Sequence, residues 1–180
     1  MTSNDICNKA KSIAATKNIY IRGAKGQRLD GATKMRFCSI DPFNAKRTAQ
    51  IMAVSEDTLG FDEYGLISVV SGYNCRNFGE IMALCEDISK DFGDILPGEV
   101  VFMQDRIGIY VGNKQVIAAN PIGIGYTILD GWVSHGKFPE VDYTQPKPVE
   151  EAPAQKEGVK NEQNEDRNME SRRDRVRNRH

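Results

Sequence analysis

The chain has 180 residues, with 24 Lys+Arg against 25 Asp+Glu, four cysteines and two histidines. That length suits one domain with a real hydrophobic core, and a net charge of −1 with a pI near 6.2 excludes a globally basic nucleic-acid binder. No apolar run reaches the ~18 residues of a membrane-spanning helix, so no membrane partner is expected. The polar start MTSNDICNKAKS lacks the apolar core of a secretory signal, which implies synthesis in the cytoplasm without Sec export. One histidine, His180, is the last residue, so chemistry that needs an imidazole can draw on little except His135.

Along the chain, Ile6, Ala10, Ile13 and Ala14 fall at helical spacing behind the cap candidates Thr2 and Ser3, which predicts a helix over 4–16. Asn18 to Arg22 alternates as a short strand ahead of a turn at 23–26. A second helix is predicted over 30–37, a third capped by Asn44 and running through 55, a fourth over 62–70 and a fifth over 78–89. After Pro97 the pattern becomes β-rich: runs at 100–103, 107–111, 115–119 and 123–129 read as strands, with Gly112-Asn113-Lys114 as a hairpin turn. Helices first and an antiparallel sheet second predict an α+β domain over residues 1–143.

Composition changes at Thr144. The last 37 residues contain no aromatic residue, no Ile and no Leu, while seventeen are charged, nine basic and eight acidic. Such a segment cannot bury enough apolar surface to offset its ordering entropy, so 144–180 is expected to be a disordered tail; an exposed charged helix over 162–177 is the alternative. Arg172, Arg173, Arg175, Arg177 and Arg179 end it, a pattern suited to an acidic surface or nucleic acid, or simply to solvation.

Cys7, Cys38, Cys75 and Cys85 have no CxxC spacing, and His135 has no neighbouring ligand type, so no metal site or cofactor is expected. The cysteines read as reduced thiols. The Gly23 to Gly26 spacing is too short for a phosphate-binding loop, and the glycines of Pro121-Ile122-Gly123-Ile124-Gly125 lie between strands rather than before a helix.

The sharpest feature is Gly98-Glu99-Val100-Val101-Phe102-Met103, then Arg106-Ile107-Gly108-Ile109-Tyr110-Val111-Gly112-Asn113, then Gln115-Val116-Ile117. It resembles the second half of the NlpC-type family of papain-like cell-wall peptidases, where a "PGD(L/V)VF" strand precedes "HVGIYIGNG" and then "VI". Phe61-Asp62-Glu63-Tyr64-Gly65-Leu66-Ile67 resembles the family's "(F/Y)DCSGLV" helix start, and the run from Ile19 to Gly23 is similar to its "YxxGG" entry strand. The segments from Pro42 and Asp57, and the ending Trp132 to Tyr143, are most similar to phage-encoded amidase, or endolysin, domains. The resemblance spans about residues 5–143 and implies a papain-like NlpC-type fold, with N-terminal helices packed on a small antiparallel sheet.

In that family a thiolate at a helix N-terminus, stabilised by backbone N–H groups, attacks a peptidoglycan amide while a strand histidine acts as base and then acid. Here the nucleophile position is Glu63, the following position Tyr64, the base position Arg106 and the orienting position Ala118, so all three catalytic roles are vacant. Arginine does not deprotonate in the accessible pH range. Tyr20, whose counterpart helps position the reacting carbonyl, is retained, as are Asp62, Gly65 and Gly108. The resemblance thus implies a catalytically inactive homologue acting as a binding or structural protein. Its cleft would comprise Tyr20, Asp62, Glu63, Tyr64 and Arg106, and Glu63 would pair with Arg106 where the dyad stood. A peptidoglycan peptide or a protein would be its partner, and a phage source with virion association is the matching location. The alternative is an active peptidoglycan hydrolase with non-standard catalytic residues.

Overall fold

The computed structural model describes residues 1–144, and the expectations for 145–180, disorder and an Arg-ended contact included, lie outside the described residues. Helix α1 (Ser3–Ala14) starts at a capping box in which Thr2 and Asp5 each bond the other's backbone N–H, and it buries Ile6, Cys7, Ala10 and Ile13. Strand β1 (Asn18–Tyr20) follows, then a tight turn with Gly23 at φ 84° and strand β2 (Lys25–Arg28). Helix α2 (Gly31–Ile40) is capped by Asp30.

The expected third helix divides in two, α3 (Pro42–Ala45) and α4 (Thr48–Ala53). Asp41, not Asn44, caps the first. Asn44 is fully buried, and its amide bonds both backbone groups of Arg22 and the carbonyl of Phe37. Strand β3 (Leu59–Phe61), not expected from the sequence, lies between β1 and β2, parallel to β1 and antiparallel to β2. It leads directly into α5 (Glu63–Ser71), which ends at Gly72 in the left-handed conformation.

The predicted helix over 78–89 also divides. Helix α6 (Phe78–Leu84) gives way to strand β4 (Glu86–Ser89), because β9 (Ser134–Lys137), again not expected, arrives alongside as its antiparallel partner. The rest matches the reading closely: β5 (Val100–Met103), β6 (Arg106–Tyr110), β7 (Gln115–Asn120) and β8 (Gly123–Ile128). The six-stranded antiparallel sheet runs β4-β9-β5-β6-β7-β8. At the β6–β7 turn, Gly112, Asn113 and Lys114 all have positive φ.

The sheet's two faces carry different work. Val100, Phe102, Ile107, Ile109 and Ile117 join Leu66, Ile67 and Val70 of α5 and Ile6 and Ala10 of α1 in the main core. Burying each large aliphatic side chain contributes roughly 1.5–3 kcal/mol. The alternate residues, Val101, Val116 and Ala118, pack on Trp132 at the opposite face. A third cluster, around Ile19, Ile21, Leu29, Phe37 and Ile51, holds α2 and α4 to the three-stranded sheet. Among the described residues no helix is long and apolar enough to cross a membrane.

His135 lies on β9, within the sheet. Its Nε2 faces the carbonyl of Asp91 at 2.7 Å, so this nitrogen carries a proton, and its Nδ1 makes a short contact with Glu99 Oε2. Both side chains are almost fully buried, and Glu99 also accepts the Leu96 N–H. Removing one member leaves the other unpaired in the core: His135→Ala is expected to lose about 3–5 kcal/mol of stability by urea denaturation. Replacement of Gly65 is expected to cost about 1–3 kcal/mol in the same assay, because a Cβ there would stand 2.1 Å from the Ala24 carbonyl oxygen.

Candidate functional site

The start of α5 is built on Asp62. Its backbone N–H donates to Ala24 O at 3.0 Å, and one carboxylate oxygen accepts the Gly65 N–H that caps the helix at 2.6 Å. The other oxygen accepts the Gly23 N–H, also at 2.6 Å. Burial raises the Asp62 pKa while the two N–H donors oppose the shift. Asp62 therefore ties the helix to the β1–β2 turn from beneath and does not line the cleft above it.

Glu63 is the first helical residue and reaches that cleft, a cavity of about 640 Å³. One wall is Tyr20, Arg22 and Phe43; the other is Asp105, Arg106 and Ile107, with Ala119 and Asn120 from the end of β7 and Pro121 from the turn after it. The Tyr20 hydroxyl donates to Glu63 Oε2 at 2.9 Å. Arg47 fastens the two sides together, donating from Nη1 to Tyr20 O at 2.8 Å and from Nη2 to Pro121 O at 2.9 Å. Its guanidinium also lies over Phe43, whose ring meets Tyr20 edge-on.

Of the residues expected to form this cleft, Tyr20, Glu63 and Arg106 line it together. Tyr64 does not; it packs against the main core as the helix turns away. Ala118 faces Trp132 on the far side of the sheet, since side chains alternate along β7 and it is Ala119 that looks into the cleft. The expected Glu63–Arg106 ion pair is corrected: none of the four ion pairs among the described residues joins them. The Arg106 guanidinium lies over Trp132, 5.6 Å from the ring centroid, which leaves Glu63 to Tyr20.

Sequence reasoning missed Arg22, Phe43, Arg47 and Asp105. Arg22 stands two residues after Tyr20, a signal that was readable; Phe43 and Arg47 enter only through the packing of α3 against β1. Neither cysteine nor histidine lines the cleft among the described residues. All four cysteines are free thiols. Burial pushes up the pKa of Cys7 and Cys75, and that of Cys85 to about 12. Among the described residues no group of His, Cys, Asp or Glu could hold a metal ion.

The Tyr20–Glu63 bond has a titration signature. Burial, and then the Glu63 charge, push the Tyr20 hydroxyl far above the usual tyrosine value of 10, with Arg22 opposing. A raised pKa means that the protonated hydroxyl stabilises the fold fully below pH 10, and that this contribution fades as pH rises through the folded value. Tyrosinate absorbance should show one fewer late-titrating group in Tyr20→Phe than in the parent. In Glu63→Gln the Tyr20 step should move to lower pH.

No protein-family model matches the sequence, and no curated protein matches it either. Solved structures do. NlpC1 from Trichomonas vaginalis aligns with a TM-score of 0.50 at 18% identity, over 76% of this chain and 44% of that one. NlpC2 from the same organism aligns with a TM-score of 0.48 at 19% identity, over 76% and 46%. This chain thus spans less than half the length of either protein. The α-helices packed on an antiparallel sheet, together with this structural likeness, make the described domain an NlpC-like α+β fold.

Proposed function

We propose that the chain is a non-catalytic member of the NlpC-like fold whose cleft binds a peptide, with peptidoglycan stem peptides as the ligand class. One observation carries this reading: the only histidine among the described residues has both ring nitrogens engaged inside the core, at Glu99 and Asp91. An imidazole so placed cannot shuttle a proton to a bound amide. The helix start, where a thiolate would gain most from the N-terminal N–H groups, carries the Glu63 carboxylate instead, and it is already occupied as a hydrogen-bond acceptor.

The Cys85 thiol supports the same conclusion, since burial pushes it up to about 12 and leaves almost no thiolate near neutrality. The cleft itself remains open, with aromatic surface from Tyr20 and Phe43 and charges of both signs. These are features that hold a peptide without cutting it.

Purified chain incubated with peptidoglycan is expected to release no peptide fragments above a buffer control, by chromatography with mass detection. It is expected to bind soluble stem peptides in a calorimetric titration. Steady fragment release by the parent chain, lost in Glu63→Gln, would establish the opposite reading, a hydrolase with a carboxylate in the catalytic role.

A further inference from the structure

The two arginines at the cleft are held in an unusual way. Arg22 lies over the Phe43 ring, 4.6 Å from its centroid, on the wall it shares with Tyr20. Arg106 lies over Trp132, 5.6 Å from its centroid, on the wall formed by the sheet. Neither belongs to an ion pair among the described residues, and both are exposed. Stacking occupies the flat face of a guanidinium and orients it, while its N–H edge, the part that grips an oxyanion through two parallel hydrogen bonds, stays available.

We propose that Arg22 and Arg106 are the specificity determinants of the cleft and that they recognise a carboxylate borne by the bound peptide. The inference rests on the reading of the cleft as a peptide site and adds which chemical group is selected. The aromatic rings restrict the arginine rotamers beforehand, so less side-chain entropy is lost when the ligand arrives. A peptide presents its anionic groups as carboxylates, and the lining charges of Glu63, Asp105 and the two arginines cancel, so the fork geometry of the arginines, and not net charge, selects the group. The Glu63 carboxylate also excludes a second anion from the helix start, which confines the ligand's acidic group to the arginine side of the cleft.

The experiment titrates the full chain with two probes: a soluble peptidoglycan stem peptide with free carboxylates, and the same peptide with its carboxylates converted to amides. The parent should bind the acidic form about tenfold or more tightly. Arg22→Gln and Arg106→Gln should each lower affinity for the acidic peptide by about tenfold, a larger loss than either causes for the amide. An unchanged thermal unfolding midpoint reports that each variant is folded. Arg106→Lys, which keeps the charge and loses the planar fork, should recover part of the affinity. Equal affinity of the parent for both peptides, or equal losses for both in the variants, overturns the proposal while the peptide site stands. Binding of neither peptide overturns the peptide-site reading and this proposal together.

Discussion

The buried Asp62 carboxylate is the contact on which the rest of the site depends. A buried acid survives only when its lone pairs are matched, and here two backbone N–H groups match them, one at the start of α5 and one in the β1–β2 turn. The same residue's own N–H reaches Ala24 O, so two hydrogen bonds join a helix to a turn some forty positions earlier in the chain, while a third caps the helix. Gly65 completes the junction, since any side chain there would strike the Ala24 carbonyl. Because that joint is rigid, Glu63 and Tyr20 meet at hydrogen-bond distance rather than by chance of rotamer.

Around this joint the fold separates structural from cleft chemistry by the two-residue period of its strands. On β6, Ile107 faces α5 and the cleft floor while Gly108 faces the other way, and Arg106, the first residue of the strand, stands at the cleft's edge; on β7, Ala119 and Ala118 divide likewise. Gly108 has no room for a side chain, its Cβ position lying 2.5 Å from a methyl of Val116. Trp132 covers this outer face and holds Arg106 by stacking, so a residue that lines the cleft is anchored from outside it. The ion pair inferred across the cleft fails for this reason: Trp132 holds the arginine's guanidinium over its ring, at the cleft's edge, and not against Glu63.

The histidine makes the complementary point. Its chemistry is spent in the core, where an acceptor carbonyl on one side and a carboxylate on the other leave it no free nitrogen. Burying such a pair costs desolvation that only good geometry offsets. The engagement of both His135 nitrogens is thus a property of how the closing strand β9 is locked to the segments around Asp91 and Glu99.

How much was legible beforehand follows physical lines. Sequence alone determined the helix start at Asp62 with its glycine three residues on, the run of strands after Pro97 and the sharp change of composition at Thr144, because caps, β-branched alternation and turn residues are local signals. It also set Glu63 and Arg106, and neither cysteine nor histidine, at the positions that the resemblance aligns with a nucleophile and a base, since identity is read directly. Tertiary structure alone decided the rest. The segment Glu86–Ser89 became a strand because β9 supplied its hydrogen-bond partners, and β3 formed between two strands far from it in sequence. Only packing assigned Glu63 to Tyr20, Arg106 to Trp132 and Asn44 to the backbone of Arg22, because a side chain's partner depends on which elements converge, and no spacing along one segment encodes that.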